Sequence, residues 1–384
     1  MRGFDVAIAG GGPAGAAAAI VLARAGMRVL LADSGCERAF RIGENLPPSA
    51  RSLLHELGVL DRVLADGHRP SHGTLAFWGE DAPHASDFLF QLHGHGLQLD
   101  RARFDGLLRL AAHDAGAEVV ESARLHLDAR TDAGAQPTQR LRLRPIDDDM
   151  REVETRWLID ASGRAATLAR RLGALRRQHG RLLAFYLRMR SENGSDQDGR
   201  TCVEAVEDGW WYSVLLPGGE RVAAFLSDAD LVDSRALLDG NGVWVKLQQT
   251  RRLRELFAEQ GYRPSGRARG ADASSTELDH AAGDRWLAVG DAAGAFDPLS
   301  AKGISNALYT GLKGAQALIA HDGGDLEAPT RYAEHLHDIH RVHLGQLRSF
   351  YATQPRWAHM PFWERRRPGP GGKTTPPIEG RGRG

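Results

Sequence analysis

The sequence predicts an α/β fold in which a parallel, nucleotide-binding sheet is interrupted by an antiparallel one. Three observations predict it. First, a short apolar run, Val6 to Ala9, passes directly into Gly10-Gly11-Gly12-Pro13-Ala14-Gly15 and then an alanine-rich segment, Ala16 to Ala25; this reads as strand, tight turn and helix. Second, another apolar run, Met27 to Ala32, ends in Asp33, close to the roughly 20-residue offset at which an acid meets a ribose. Third, strand-like runs at Leu183–Met189, Thr201–Val206, Trp210–Leu216 and Arg221–Ser227 are separated by Asn193-Gly194-Ser195, Asp208-Gly209 and Pro217-Gly218-Gly219, which are turn signals between antiparallel strands.

Each part of the glycine turn has a physical task. Gly10 allows the tight turn, Gly12 lets a pyrophosphate approach the backbone, and Gly15 lets the helix pack on the strand. The free N–H groups at the helix start, around Pro13 and Ala14, face the anion. Asp33, followed by Ser34, closes the ribose end. The expected ligand is a dinucleotide.

Composition sets the bounds. The 384 residues suit two domains, or one with a large insertion. Lys+Arg and Asp+Glu are both 49, so no global field draws nucleic acid or an anionic membrane. No window holds enough apolar residues to span a bilayer, and the N-terminus enters a strand with no signal-peptide pattern. Cys36 and Cys202 form no Cys-x-x-Cys pair, so neither a disulfide framework nor a zinc knuckle is expected, and a cytoplasmic location is.

Along the chain, the loop Arg38 to Pro48 precedes a helix from Arg51 to Leu57 that Ser49 can cap. Strand-like Thr74 to Trp78 follows, then a helix from Phe104 to Ala115 with apolar residues three and four apart. Glu118–Asp128 and Gln139–Arg144 read as strands around a polar turn, Thr131 to Pro137. A buried strand at Trp157 ends in Asp160-Ala161-Ser162-Gly163-Arg164. After the antiparallel region come one helix, Trp244 to Glu259, and a strand around Arg267 to Ser275. A short buried strand then leads into Gly290-Asp291-Ala292-Ala293, a helix to about Ile319 and a long helix from Thr330 to Tyr351.

The glycine turn, Asp160–Gly163 and Gly290–Ala293, in this order, resemble the FAD-dependent aromatic hydroxylases and their relatives, the flavin-dependent halogenases and geranylgeranyl-type reductases. The resemblance implies a Rossmann-type FAD-binding domain of the glutathione-reductase-like, hydroxylase type. It places residues 1–180 and 265–325 in that domain and 181–264 in a substrate-binding sheet, with parts of 70–100 as candidates to join it. It further implies a C-terminal helical segment, 326–366, and a disordered tail, 367–384. Under this resemblance Asp291 holds the ribityl chain, with Gly290 beside it. Backbone at Gly303 and Ile304 faces the flavin's pyrimidine end. Arg101 lies on the phosphate side, and Asp160 and Gly163 support FAD and a visiting NAD(P)H. One glycine fingerprint leaves no permanent NADPH domain, which suits either a transient NAD(P)H or electrons from a separate reduced-flavin source.

Arg41-Ile42-Gly43-Glu44-Asn45-Leu46-Pro47-Pro48, Asp208–Ser213 and Asp297-Pro298-Leu299-Ser300 look like the halogenase side of the family, and Arg41, Gly43 and Pro298 join the cofactor candidates. Two departures count against halogenation: no lysine precedes Lys246, and Ser300-Ala301-Lys302 stands where halogenases place Glu-Ser-Thr. A closer likeness, carried by Glu44–Pro48, Asp208–Ser213 and the terminal Tyr351…Trp357…Trp363-Glu364-Arg365, is to flavoprotein monooxygenases that mature tryptophylquinone enzymes. This implies hydroxylation of an electron-rich aromatic ring by molecular oxygen through a flavin C4a-hydroperoxide, the ring belonging to a small molecule or to a tryptophan-containing polypeptide. A halogenase, an isoprenoid reductase and a non-catalytic flavin-bearing assembly factor are the alternatives.

Glu44, Trp211 and Tyr212 are the catalytic candidates. Glu44 is the loop acid placed near the flavin, as a base or hydrogen-bonding group, with helix capping or a salt bridge as the other reading. On one strand, alternate side chains point to opposite faces, so Trp211 is expected to face away from Trp210 and Tyr212. One face would wall a substrate site while the other packs the sheet. His335, His337, His340 and His343 are expected to face solvent rather than bind a metal, and the Arg365–Arg367 cluster to touch a partner or to solubilise.

Overall fold

The computed structural model describes residues 2–35, 40–80, 82–88, 94–131, 138–146, 148–367 and 378–379. Cys36, the turn at 132–137 and most of the expected tail lie outside them. Of the tail, Arg367, Ile378 and Glu379 are described, and the last two pair with Arg177 and Gln178.

The alternation of apolar strand, glycine turn and apolar helix builds a sheet whose main path is parallel except at one edge, where Ala282–Gly283 joins antiparallel. Its order is Ala282–Gly283, Trp286–Ala288, Arg151–Asp160, Arg2–Ala9, Val29–Asp33 and Glu118–Glu121. Val6 lies opposite Trp157 and Val29, and Ala9 opposite Asp160 and Ala32. The ends of the three central strands therefore stand side by side, at the edge where ligands of parallel α/β sheets bind. One face is covered by the helices Pro13–Arg24, Arg101–Asp114 and Gly303–Asp322 in a core that includes Ile8, Ile20, Phe104 and Leu308. The other face packs on the hairpin Ala123–Thr131 and Thr138–Pro145.

The second sheet runs Tyr262–Pro264, Leu182–Ser191, Glu220–Asp228, Gly209–Leu215, Thr201–Val206, Gly73–Phe77 and His84–Asp87. Its interior is antiparallel, and Thr74 joins Thr201 in parallel. One face packs on the short helices between Ser234 and Glu259. The C-terminal segment covers the other, through Tyr351, Phe362 and Trp363.

Four local expectations change. The single helix over Trp244–Glu259 is two, Gly242–Leu247 and Arg252–Glu259. The break forms because the buried Glu204 carboxylate accepts from the N–H groups of Arg251, Arg252 and Leu253, which starts a new helix there. Ser49 has helical backbone angles and caps nothing with its side chain. Glu118–Asp128 divides at Ser122, whose φ is 51°. Arg267–Ser275 becomes Arg269–Asp272 and Ser275–Leu278, in different sheets. No helix among the described residues is long and apolar enough to cross a membrane.

Candidate active site

A cavity of about 1050 Å³ runs from the glycine turn to the second sheet. At one end lie Gly10, Gly12, Pro13, Ala14, Asp33 and Ser34. Gly10 has φ of 113°, and a Cβ there would sit 2.2 Å from the Ala161 carbonyl oxygen, so only glycine makes this turn. Gly12 is different: a Cβ added to it meets nothing within 4 Å, leaving the helix start open to the cavity. Asp33 is buried and accepts from the Gly11 N–H, with Arg109 Nη1 3.6 Å away.

The middle of the cavity is lined by Arg41, Gly43, Arg101, Gly163 and Asp291. Arg101 is held by a two-point pair with Asp105 and donates to the Gly43 carbonyl. The Asp291 side chain keeps 34% of its exposure, and Arg164 Nε stands 3.6 Å from it. Burial pushes the Asp291 carboxyl up, against the attraction of Arg164 and Arg101. Pro298, Gly303 and Ile304 complete this wall. The helix Gly303–Asp322 begins at Gly303, so its unpaired N–H end borders the cavity.

Glu44 and Tyr212 line the far part with Trp210, Val203 and Val214. Glu44 is 2% exposed and its Oε1 makes no hydrogen bond. Burial pushes its carboxyl up to about 7, although the backbone of Glu44 and Gly43 and the Arg101 charge pull the other way. The loop holding it is fixed by the Leu99 N–H donating to the Glu44 carbonyl and by Asn45 Nδ2 donating to Thr201 Oγ1, 2.8 Å. Tyr212's phenol is raised well above its ordinary value by burial, with the Glu44 and Tyr186 charges adding to it.

Four expected site residues fall elsewhere. Trp211 is fully buried on the opposite face of its strand, stacked on Phe225 with ring centroids 5.1 Å apart. Strand alternation sends Trp210 and Tyr212 to the cavity and Trp211 into the helix-covered layer. Asp160 is closed off: it accepts from the N–H groups of Ser162, Leu168 and Ala169, and so caps the helix Thr167–Arg171. Gly15 packs the helix on the strand, the task its place in the fingerprint gives it, and Gly290 is a packing glycine too. A Cβ on Gly15 would lie 1.9 Å from the Gly10 carbonyl oxygen, and one on Gly290 2.7 Å from Ala14 Cβ.

Three contributors were not legible as site residues. Arg109 braces Asp33 and donates to Glu121 Oε1 at 2.5 Å. Arg164 donates to the carbonyls of Ser274 and Phe296; its place after Asp160-Ala161-Ser162-Gly163 is the signal that could have marked it. Tyr351 donates to Asp297 Oδ2 at 2.9 Å and accepts from Trp210 Nε1 at 3.0 Å. It thereby ties the Pro298 turn to the cavity wall across more than fifty residues of chain.

Two surface expectations are corrected. His340 and His343 are buried, because their helix, Ala328–Ala352, lays them against Phe296, whose ring stacks on His343 at 4.0 Å. Arg365 and Arg366 are engaged within the chain by Asp228, and Arg365 also by Asp230.

The model of the FAD binding domain family matches residues 3–194. LodB of Marinomonas mediterranea, which is named as an FAD-dependent oxidoreductase, is 28% identical over 95% of this chain and 97% of its own. The fold is similar to that of the myxobacterial chondrochloren halogenase CndH, with a TM-score of 0.81, 22% identity and coverage of 96% of this chain and 86% of that one. It is also similar to the peptidyl tryptophan dihydroxylase QhpG, which acts in tryptophylquinone cofactor biogenesis, at a TM-score of 0.75 and 24% identity, covering 96% and 80%.

Proposed function

The chain belongs to the FAD binding domain family, among FAD-dependent monooxygenases and halogenases, and we propose that it hydroxylates an electron-rich aromatic ring, with a tryptophan of a partner polypeptide as the substrate class. The likeness to the peptidyl tryptophan dihydroxylase supports the substrate class, and the likeness to LodB supports an FAD-dependent oxidoreductase. The observation that carries the reading is Glu44, a buried carboxyl with an unpartnered oxygen, beside Tyr212 and Trp210 at the far end of the cavity.

The residues fit FAD. The open face of Gly12 leaves room for the pyrophosphate, Asp33 is set for the ribose and Asp291 for the ribityl hydroxyls. The cavity, about 1050 Å³, is at the upper end of the roughly 300–1,000 Å³ of ordinary ligand pockets, the size that a dinucleotide asks for. When bound and reduced by NAD(P)H or by a separate reduced flavin, FAD supplies the activation of oxygen.

The chain's own work is positioning and protons. The helix start at Gly303 and Ile304 favours negative charge beside it. Trp210, Val203 and Val214 exclude water and present an apolar wall to an aromatic ring. Glu44, with its carboxyl near 7, can take a proton from the ring or its ring nitrogen and pass it on at neutral pH. Among the described residues no lysine lines this cavity, which supports hydroxylation over the halogenase alternative.

The test uses the purified yellow protein with NAD(P)H or reduced flavin, ¹⁸O₂, chloride and a tryptophan-containing peptide. Mass spectrometry should find labelled oxygen on the indole. Chlorinated peptide would make the chain a halogenase. Reductant consumed with unlabelled peptide and peroxide released would remove the hydroxylation reading.

A further inference from the structure

Behind the cavity wall, three side chains from three elements converge. His179 comes from the strand Arg176–His179, Glu277 from Ser275–Leu278 and His340 from the helix Ala328–Ala352. His179 Nε2 stands 2.9 Å from Glu277 Oε1, and His340 Nδ1 stands 3.4 Å from Glu277 Oε2. One ligand atom from each lies within 4.8 Å of the others. We propose that these three residues hold a divalent transition metal ion of the zinc class, which staples the C-terminal helix to the sheet behind Phe296.

Four observations support the site. Two imidazoles and a carboxylate are a donor set that zinc takes. A tetrahedral ion with bonds of about 2.1 Å separates its ligand atoms by roughly 3.4 Å; Glu277 stands 2.9 Å and 3.4 Å from the two imidazoles, and the three ligand atoms, all within 4.8 Å of one another, close in on binding an ion. His340 is 4% exposed. The backbone at Ala295 and Thr276 comes near its ring, yet neither ring nitrogen closes a hydrogen bond of good geometry; buried polar atoms left so are uncommon. Finally, room is reserved. Gly294 faces the ring, and a Cβ there would press on His340 Cδ2 at 3.3 Å.

His337 flanks the cluster without joining the three-residue set. Its Nδ1 is 3.6 Å from Glu277 Oε2, on the solvent side, where a second cavity of about 610 Å³ opens. The bland alternative is a carboxylate sharing protons with neutral histidines. That arrangement gives no cobalt band on titration, whereas a metal site gives a saturable one.

The FAD-loaded protein, dialysed against chelator, is titrated with Co²⁺ alone. One equivalent should produce an intense visible ligand-field band, which Zn²⁺ then displaces, and Zn²⁺ should raise the melting temperature. His179→Gln and His340→Gln should each weaken Co²⁺ binding roughly tenfold or more while retaining the flavin spectrum of a folded protein. Absence of a saturable band in the unaltered protein overturns the site without recourse to any variant. So does binding that is unchanged in both variants.

Discussion

Glu44 is where burial and chemistry meet most directly. Its carboxyl shifts from 4.5 to about 7 because burial disfavours the charged form more than Arg101 and the nearby backbone favour it. Between those two values the folded chain binds more protons than the unfolded chain. Stability contributed by this residue is therefore greatest below about pH 4.5, falls as pH rises, and is lost above about pH 7. Glu44→Gln, which cannot ionise, should stabilise the FAD-free protein at pH 8 by on the order of 2 kcal/mol and change it little at pH 4.5. Urea unfolding at both pH values measures this; an equal effect at both would mean that the charge is not the cause. At the same scale, the sequence identified Glu44 by type and neighbourhood alone. It held no sign that one oxygen would be left unpartnered, because that depends on contacts with residues far along the chain, such as Leu99 and Arg101. Trp211 shows the limit from the other side. Period-two alternation correctly separates it from Tyr212, but which face meets the ligand depends on what packs behind the sheet.

At the scale of elements, the strand–turn–helix start is self-contained. Its glycines, apolar run and acid lie within 33 residues, so local sequence carries most of the information. The interrupted helix over 242–259 is the opposite case. Its apolar pattern is interrupted only by the polar run Gln248–Arg252, and the new start comes from Glu204, nearly fifty residues earlier, capping three N–H groups. Glu204→Ala should leave the buried Leu253 N–H and the two part-buried N–H groups unmet and cost about 2 kcal/mol, read by denaturant midpoint at unchanged m-value. A loss under about 0.5 kcal/mol, as expected for an ordinary surface site, would mean that the helix starts without it. Asp160 teaches a similar lesson: a conspicuous acid at a strand end is buried, caps a short helix and does not line the cavity.

Across the whole molecule, the C-terminal segment returns to close the second sheet. Arg366 reaches Asp228 Oδ1 at 2.6 Å and lies 3.7 Å from the centroid of the Phe362 ring. Removing one partner of such a buried pair costs more than removing both. Arg366→Met should destabilise by about 3 kcal/mol, and adding Asp228→Leu should recover part of it; an additive double variant would show no coupling. Tyr351, from the same segment, joins Trp210 to the Pro298 turn, so the tail end of the chain supports the wall of the proposed substrate space. By itself, the sequence determined the nucleotide-binding half, the antiparallel insertion and the acid at Asp33, since each is written in short-range spacing. Only the tertiary structure decided that Trp210 and not Trp211 faces the cavity, that Arg109 and Arg164 brace its acids, and that His340 meets Glu277. Those outcomes are contacts between residues far apart in the chain. Packing selects them, and no local period encodes it.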